Sequence, residues 1–440
     1  MTAIIHHTDL YGKREDKYEE LSKHTISTIK KKEIKPAEEF CFFVPKNEEL
    51  QPEYDTFVKI SEAMPTNSVG IVTARDHLCI QDTPEEVKKV VWDFVSLKPE
   101  LARKKYDLGD DARDWQVKLA QEDAKKSGPN KKNIVPILYR PFDLRHTYYT
   151  GKSRGFLCMP RPEVMGHMLA GENVLLSIGR SGQVIGSDIW DILYCSDFIT
   201  EFNLFRRGGN NVFPLYLYPS DEDMFQTERR PNFTKEFLDL FSNFKLPNSP
   251  LELSVFRYIY AVFHSPSYRE RYAEFLMIDF PRIPIPKTKE LFQELSILGN
   301  DLIALHLLQE EDSELVSVSN LKKNRGIQFA SPKDYKFKSS SKGKSEPIIE
   351  KGYPKYENEN VYVNEADYFE SVPEEVWNFH IGGYQVLHKW LKDRRERALS
   401  DEDVLHYRKV IVSLRETIVV MREVDEVIVR FGGFPGAFEG

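Results

Sequence analysis

Apolar residues recur at helical spacing in several stretches of the chain. Within Asp82–Ser96 the apolar side chains lie three and four positions apart, and Thr83 followed by Pro84 is a typical helix start. The segment after Ser400 keeps this spacing as far as Met421, which predicts a long C-terminal helix with a seam for a partner helix. Further helices are predicted over Lys13–Lys31, Arg103–Lys126, Leu251–Phe263, Tyr268–Asp279 and Glu290–Gln309.

Between residues 134 and 219 the pattern changes to short apolar and aromatic runs that alternate with glycine and proline. Such runs between turn-forming residues are typical of β-strands. The clearest predicted strands are Val174–Ile178, Trp190–Cys195 and Val212–Tyr218, with shorter apolar runs at Thr2–His6 and Phe40–Val44. The chain is therefore predicted to be an α+β protein, in which a β-rich module is braced by helices and a long C-terminal helix follows.

The composition is that of a globular protein. Hydrophobic residues make up 41% and aromatic residues 12% of the 440 residues, and no apolar run approaches the roughly 18 residues that a membrane span needs. The cysteines at positions 41, 79, 158 and 195 form no CxxC pair, which favours reduced thiols over a disulfide framework or a zinc site. We expect a cytoplasmic protein that binds no membrane.

Charge is distributed unevenly along the chain. The formal net charge of −8 by itself disfavours a general nucleic-acid binder. Between Lys125 and Arg161, however, nine lysines and arginines accompany a single acid, Asp143, so the local balance is 9 − 1 = +8. A basic stretch of this kind suits contact with DNA phosphates, and the alternative is a solvated loop.

Several loops carry side chains suited to DNA. Arginine and glutamine best match guanine and adenine edges, so the loop Gly179–Gln183 is predicted either to read bases or to be a polar hairpin tip. The turn 206–211 (RRGGNN) suits contacts with the DNA backbone, and Arg75 either pairs with Asp76 or closes a turn. The candidate DNA contacts are Arg75, Lys131, Lys132, Arg140, Arg145, Tyr148, Lys152, Arg154, Arg161, Arg180, Ser181, Gln183, Arg206 and Arg207.

Sequence motifs that carry catalysis are absent. No GxxxxGK[ST] or GxGxxG loop occurs, so a phosphate or dinucleotide cradle is unsupported. The Asn/Asp-Pro-Pro-aromatic motif of amino-methyltransferases is also missing, and His6 and His7 have no further metal ligands at suitable spacing. We expect a chain that is not catalytic alone and binds no cofactor or metal of its own.

Five segments, in order, resemble the C-terminal part of type ISP restriction–modification enzymes. Together they span nearly the whole chain, and the third and fifth are long enough to be specific. They are TAIIHHTDLYGKREDKYEEL (2–21), SVGIVTARD (68–76), the run 138–167 with YRPFDLRHTYYTGKSRGF, FPLYLYP (213–219), and WNFHIGGYQVLHKWLKDR (377–394) with the helix after Ser400.

The resemblance implies both a function and a division into domains. Residues 1–66 are similar to the end of the adenine-specific DNA methyltransferase domain, and residues 67–330 to a β-rich target-recognition domain with helical insertions. Residues 361–440 are similar to the helical end of the specificity domain. The polar stretch 331–360 is predicted to be a linker, and Ser331–Lys355 within it to be mobile. The implied function is sequence-specific recognition of duplex DNA, which positions a methyltransferase that flips adenine.

Enzymes of this family combine nuclease, helicase-like ATPase, methyltransferase and target-recognition regions, whereas the first segment here resembles only the end of the methyltransferase. The resemblance therefore implies a methyltransferase/nuclease/helicase polypeptide or subunit as partner, beside duplex DNA. S-adenosylmethionine, ATP and magnesium are implied only for those catalytic parts. A second interpretation of the residues stays open, in which the chain is a non-catalytic scaffold or assembly subunit that binds protein partners.

Overall fold

A computed structural model describes residues 4–35, 49–180, 190–219, 228–246, 249–323, 325–329, 332, 335–339 and 346–439. Contacts between residues divide the chain into two compact units, residues 1–55 and 56–440. The four-part domain division made from the sequence stays a prediction.

The described part of the smaller unit contains two short strands and two helices. Its elements are β1 (Ile5–His7), α1 (Arg14–Lys23), β2 (Lys32–Ile34) and α2 (Gln51–Asp55). β1 and β2 pair antiparallel. The helix predicted to reach Lys31 ends at Lys23, because the Thr25 backbone N–H donates to the Thr28 side chain at 2.8 Å and starts a local turn. The apolar run Phe40–Val44 lies outside the described residues.

The described part of the larger unit mixes short strands with helices. Its strands are β3 (Val58–Lys59), β4 (Ser68–Val69), β5 (Ile80–Gln81), β6 (Ile134–Arg140), β7 (Asp143–Tyr148), β8 (Leu175–Ile178), β9 (Leu193–Ser196), β10 (Ile199–Thr200), β11 (Asn211–Pro214), β12 (Tyr216–Leu217), β13 (Arg230–Pro231), β14 (Arg282–Ile283), β15 (Phe337–Lys338), β16 (Lys355–Glu357), β17 (Asn360–Tyr362), β18 (Tyr368–Phe369), β19 (His380–Ile381) and β20 (Tyr384–Gln385).

Helices alternate with these strands over the whole unit. They are α3 (Ile60–Ala63), α4 (Asp76–Cys79), α5 (Pro84–Ser96), α6 (Pro99–Lys105), α7 (Val117–Lys126), α8 (Pro162–Leu169), α9 (Lys235–Asp239), α10 (Leu251–His264), α11 (Pro266–Arg271), α12 (Ala273–Leu276), α13 (Lys289–His306), α14 (Ser319–Lys323), α15 (Glu374–Trp377), α16 (Val386–Lys392), α17 (Asp401–Arg430) and α18 (Gly433–Gly436). Short 3-10 turns occur at residues 131–133, 202–204 and 242–244. The predicted α+β class is confirmed.

Two four-stranded sheets form the β-rich centre of the unit. One has the order β10-β6-β7-β5, and its β6–β7 hairpin turns at Phe142, whose φ is +60°. The other has the order β4-β11-β8-β9, with antiparallel pairs throughout. A third sheet, β15-β18-β17-β16, lies further along the chain.

Helix α5 covers the first of these sheets, and its boundaries confirm the sequence prediction. The Thr83 hydroxyl accepts from the Glu86 backbone N–H, and Pro84 occupies the first turn. Beneath the helix, Phe94 meets Phe156 at 6.1 Å between ring centroids, and Tyr148 meets Phe156 at 5.7 Å. These rings belong to one buried apolar cluster that fixes α5 on the hairpin.

The single helix predicted over Arg103–Lys126 is wrong in its central part. The structure has α6 and α7 with a loop between Lys105 and Val117. Within that loop Trp115 is fully buried, and its indole N–H donates to the Phe156 carbonyl oxygen at 3.1 Å. The loop conformation depends on partners from other parts of the chain, so helical spacing alone misses it.

Three long helices form an α-helical layer in which α13 contacts both α10 and α17. The predicted cap at Ser400 is confirmed, because its hydroxyl accepts from the Asp403 backbone N–H and the Asp403 carboxylate accepts from the Ser400 backbone N–H. In the apolar seam of α17, Tyr407, Ile411 and Leu414 are buried, whereas Val404, Ile418 and Met421 are half-buried. The partner helix that the seam predicted is α13 of the same chain. None of the helices in the described ranges is long and apolar enough to cross a lipid bilayer.

Part of the predicted linker 331–360 contributes strands. β15 pairs with β18, and β16 pairs with β17, so both belong to the third sheet. Residues 331, 333–334 and 340–345 lie outside the described residues. The mobility of this segment stays a prediction.

Candidate nucleic-acid interface

Three arginines gather where β8 ends and β11 begins, and we call this group the cationic edge: Arg180, Arg206 and Arg207. The last residue of β8, Ile178, pairs with the first residue of β11, Asn211. Arg180 comes shortly after the end of β8, and the turn 206–210 leads into the start of β11. The two loops therefore lie at the same end of this strand pair. The sequence predicted DNA contacts in both loops but gave no sign that they meet.

Gly179 brings the two loops into close approach. A Cβ atom at this position would lie 2.6 Å from the Gly209 carbonyl oxygen, closer than side chains are found to pack. The Trp190 indole N–H donates to the Gly179 carbonyl oxygen at 2.9 Å and holds this backbone in place. Close backbone packing and this hydrogen bond therefore define the base of the cationic edge.

The cationic edge carries charge that the described residues do not neutralise. Arg206 and Arg207 are exposed, and neither side chain has an ionic partner among them. Arg180 is half-buried, lies 5.5 Å above the Phe280 ring, and has a buried Nε without a hydrogen-bond partner. Each guanidinium therefore has donors available for an external acceptor. Ser181 and Gln183 lie outside the described residues.

A hairpin from the fifth resembling segment supports the cationic edge. β19 and β20 are joined by Gly382 and Gly383, and the Gly382 carbonyl oxygen accepts from the Arg206 backbone N–H at 2.8 Å. On the other side, the Gly382 N–H donates to the Asp191 carbonyl oxygen at 3.0 Å. The FHIGGYQVL motif therefore fixes the backbone beneath Arg206.

Further candidate residues lie exposed on other loops. Lys152 and Arg154 are exposed, and the Arg154 guanidinium donates to the Arg113 carbonyl oxygen at 2.7 Å. Lys131 and Lys132 are exposed in the 3-10 turn before β6. Arg161 is half-buried with φ +56°, and its guanidinium contacts the Met159 sulfur at 3.2 Å. Positive φ values at Arg154 and Arg161 are uncommon backbone conformations that tend to occur at functional sites.

Arg75 closes a loop, which decides between the two alternatives left open by the sequence. Its guanidinium donates to the carbonyl oxygens of Leu108 at 2.6 Å and Asp110 at 2.9 Å and stacks 5.0 Å from the Trp115 ring. Asp76 instead accepts from the Tyr139 hydroxyl at 2.9 Å. Arg75 thus has most of its donors engaged within the protein.

Arg140 and Arg145 belong to a set of paired charges that we call the buried network, together with Asp143, Glu201 and Arg394. Arg140 donates to Glu201 at 2.8 Å, and Arg145 and Arg394 donate to the two Asp143 oxygens at 3.0 and 2.7 Å. The Tyr139 ring lies 3.7 Å from the Arg140 guanidinium and 4.6 Å from that of Arg145, which connects the pairs.

The buried network strongly favours ionised Asp143. Burial opposes its ionisation, but the charges of Arg394 and Arg145 outweigh that effect and lower the pKa of Asp143 to about 2. Since the carboxylate is 1% exposed, it neutralises these arginines inside the protein. Arg140 and Arg145 are therefore placed to support the hairpin, and their contact with DNA stays a prediction that this structure does not favour.

Tyr148 offers no surface to a ligand in this structure. The side chain is fully buried, and its hydroxyl contacts Ser127 Oγ at 2.7 Å and accepts from the Asn130 backbone N–H at 3.0 Å. Its role here is to anchor the start of the hairpin. Phe280 and Arg394 are the important residues that the sequence interpretation missed, because each contacts a partner about 100 or more positions away.

The comparison with protein families identifies the chain. Residues 62–423 match the Type ISP C-terminal specificity domain, which covers most of the chain, and the protein belongs to this family. A comparison with curated proteins finds no match.

Solved structures share the fold. A nuclease-deletion mutant of the Type ISP restriction–modification enzyme LlaGI, in complex with a DNA substrate mimic, is 18% identical with a TM-score of 0.65, over 96% of this chain and 39% of that chain. The DrdV–DNA complex is 20% identical with a TM-score of 0.66, over 93% and 42%. The ATP-dependent enzyme LlaBIII bound to DNA is 19% identical with a TM-score of 0.63, over 90% and 25%. The chain thus spans between 25% and 42% of the length of these relatives.

Proposed function

We propose that this protein recognises a specific sequence in duplex DNA as the specificity part of a restriction–modification system. The observation that carries the proposal is the cationic edge, where Arg180, Arg206 and Arg207 lie together without ionic partners among the described residues. Guanidinium groups suit both phosphate oxygens and the O6/N7 edge of guanine. Membership of the specificity-domain family, and the DNA present in the complexes of LlaGI, DrdV and LlaBIII, support the same function.

Under this proposal, methylation and cleavage are carried out by other parts of a larger enzyme or by a partner subunit. S-adenosylmethionine, ATP and magnesium would bind to those parts. Among the described residues, no group of three His, Cys, Asp or Glu side chains is placed to hold a metal ion. The three described cysteines are buried free thiols, which supports a reducing compartment such as the cytoplasm.

A salt titration tests the proposal against the alternative of a protein-binding scaffold. Phosphate contacts release counterions, so the logarithm of the affinity for duplex DNA should fall steeply and linearly with the logarithm of salt concentration. The cognate site is then identified by repeated selection of bound duplexes from a pool with random sequences. Absence of saturable binding to any duplex at low salt would contradict the proposal and favour the scaffold.

Substitutions at the cationic edge separate base reading from phosphate contact. If Arg180 faces a base edge, Arg180→Ala should cost about 1–3 kcal/mol at the cognate site and relax the preference at one position. If Arg206 and Arg207 contact phosphates, their alanine variants should weaken cognate and random duplexes about equally. Gln183→Ala tests the reading loop in the same way.

A matched control is available on the C-terminal helix. Arg422 is an exposed arginine on α17 that is paired with Glu375 at 2.6 Å, so Arg422→Ala removes one positive charge that already has an ionic partner. Its affinity for DNA should stay close to that of the wild type. A uniform loss for Arg180→Ala, without a change of preference, would mean that bases are read elsewhere.

A further inference from the structure

A polar pocket of about 310 Å³ opens between α10, α13 and the segment that leads into α14. It is separate from the cationic edge and from the buried network. Its lining combines the apolar side chains of Leu246 and Ile297 with polar ones, of which Ser249, Arg257, Gln293, Ser296, Asn300 and Ser319 matter here. Among the described residues that line this polar pocket there is no carboxylate, although acids outnumber bases in the whole chain by 69 to 61.

Arg257 is the charged group of the polar pocket, and no carboxylate of the described residues pairs with it. Its Nη2 donates to the Leu315 carbonyl oxygen at 2.8 Å, while its Nε is buried and has no hydrogen-bond partner. Burial lowers the pKa of the guanidinium to about 10, so the group still carries its charge at neutral pH. A buried cation without a counter-ion is unfavourable, and an anion bound beside it offsets that cost.

The position of Arg257 is fixed by the packing of two helices. At Gly299 the backbone of α13 approaches α10 so closely that a Cβ atom would lie 1.8 Å from the Arg257 carbonyl oxygen. Ser296 and Asn300 lie within one turn of Gly299 and line the pocket. The Ser296 hydroxyl donates to the Ser254 carbonyl oxygen at 3.0 Å, and Asn300 bonds to the Ser317 backbone. The polar pocket is therefore a formed feature between two packed helices.

Around Arg257 the polar pocket is rich in hydroxyl and amide groups. Ser249, Ser319 and Gln293 lie toward its open side, where Ser319 and Gln293 are exposed. Neutral donors around one guanidinium suit a tetrahedral oxyanion, because each oxygen can accept hydrogen bonds and no negative charge repels it. A cationic or apolar ligand would leave the Arg257 charge without compensation.

We propose that the polar pocket is a binding site for a phosphate group, held by Arg257 and by the hydroxyl and amide groups toward its open side, those of Ser249, Gln293 and Ser319. The site is independent of the proposed DNA-reading role of the cationic edge. The phosphate belongs either to a small phosphorylated compound or to the backbone of DNA, and the chemistry of recognition is the same for both.

Calorimetric titration of the full chain with inorganic phosphate and with pyrophosphate tests the site, with chloride at matched ionic strength as the reference. We expect one saturable site for the phosphates and a melting temperature raised by about 2 °C near saturation. Arg257→Gln should abolish the binding. Because Arg257 also contacts Leu315, the folding of this variant is checked by its circular dichroism.

A second variant keeps the test valid if Arg257→Gln unfolds. Gln293→Glu adds a carboxylate at the exposed rim with almost no change of shape, and it should weaken phosphate binding by roughly 10-fold through like-charge repulsion. Gln293→Ala removes the amide without adding charge and should have a much smaller effect. The proposal is overturned if phosphate and pyrophosphate show no saturable binding, or if Gln293→Glu binds them as tightly as Gln293→Ala does.

The source of the phosphate is resolved with the same variants and duplex DNA. If the DNA backbone occupies the polar pocket, Gln293→Glu weakens duplex binding and flattens its salt slope by about one unit. If a small phosphorylated compound is the ligand, Gln293→Glu weakens phosphate binding while its duplex binding is unchanged. Failure of DNA binding at the cationic edge would leave the phosphate titration unaffected, so the two proposals fail separately.

Discussion

The buried network and the cationic edge are built from the same residue type and behave in opposite ways. Arg140, Arg145 and Arg394 are paired with carboxylates and mostly withdrawn from water. Arg206 and Arg207 lie on a turn, exposed and without ionic partners among the described residues. The first group fixes the position of a hairpin, whereas the second has its donors free for a ligand. The number of arginines in a segment therefore says little about its affinity for DNA.

The difference arises from acids that are remote in sequence. Within the basic stretch 125–161, Asp143 is the single acidic residue. In the fold, however, Asp76 and Glu201 come close to Arg140, and Asp82 comes close to Arg145. A local excess of +8 is thus partly neutralised by other segments. The cationic edge receives no such acid among the described residues, which makes it the better candidate for contact with phosphates.

The largest effect is expected from breaking the buried network. Arg394→Ala leaves the 1%-exposed Asp143 with one arginine partner fewer, and removal of one partner of a buried ion pair costs about 3–5 kcal/mol. Urea unfolding should show this loss in the free energy of unfolding. Arg422→Ala, at an exposed pair, should change it by less than about 0.5 kcal/mol. If Arg394→Ala and Arg422→Ala lowered the free energy of unfolding by similar amounts, the distinction between buried and exposed arginines would not hold.

A pH dependence on the acid side should follow from Asp143. Its pKa in the folded protein is about 2, against an ordinary value of 3.8, so the folded state binds fewer protons between these values. The stabilisation, about 2 kcal/mol, is present above pH 3.8 and is lost as the pH falls toward 2. In Asp143→Asn the free energy of unfolding should fall less steeply between pH 4 and 2. An unchanged slope in this variant would exclude Asp143 as the titrating group.

A smaller effect on stability, together with an effect on binding, is expected at Gly179. The added methyl group in Gly179→Ala would meet the Gly209 carbonyl oxygen at 2.6 Å and the Ile192 side chain at 2.7 Å. We expect a loss of about 1–2 kcal/mol, because Ile192 can move and the backbone can shift slightly. Separation of the two loops should also weaken DNA binding. Gly128→Ala, where nothing lies within 4 Å, controls for the substitution itself, apart from strain at its φ of +68°.

The smallest effect on stability is expected from the cationic edge. Arg206→Ala and Arg207→Ala should each change the free energy of unfolding by less than about 0.5 kcal/mol, because neither side chain has an ionic partner to lose among the described residues. Each should nevertheless flatten the salt slope of DNA binding by about one unit. If Arg206→Ala and Arg207→Ala lowered the free energy of unfolding but left DNA binding unchanged, the roles assigned to the two regions would be reversed.

Local signals predicted the elements that local interactions determine. α5 and α17 begin where Thr83 and Ser400 cap them, since a cap and its N–H partners lie within one turn of chain. The loop between α6 and α7 was missed because it is held by contacts from Arg75 and Phe156. A polar sequence with helical spacing does not reveal such contacts.

The candidate site was predicted in part. The loops that carry Arg180, Arg206 and Arg207 were identified from composition, because arginine and glycine on turns are visible in sequence. Their meeting at one sheet edge depends on the pairing of β8 with β11, which an isolated sequence does not specify. The withdrawal of Arg140 and Tyr148 from the surface likewise depends on tertiary contacts.

The pairing of Asp143 with Arg394 has a consequence for synthesis of the protein. The two residues are separated by 251 positions, and nearby His406 contacts the Phe142 carbonyl oxygen at 2.8 Å across 264 positions. At about 5–20 residues per second, a ribosome needs roughly 10–50 s to extend the chain from the hairpin to these partners. During that interval Asp143 of the nascent hairpin is paired only with Arg145, because Arg394 has not yet been made. The native contacts of the hairpin are therefore completed only after the beginning of α17 has left the ribosome.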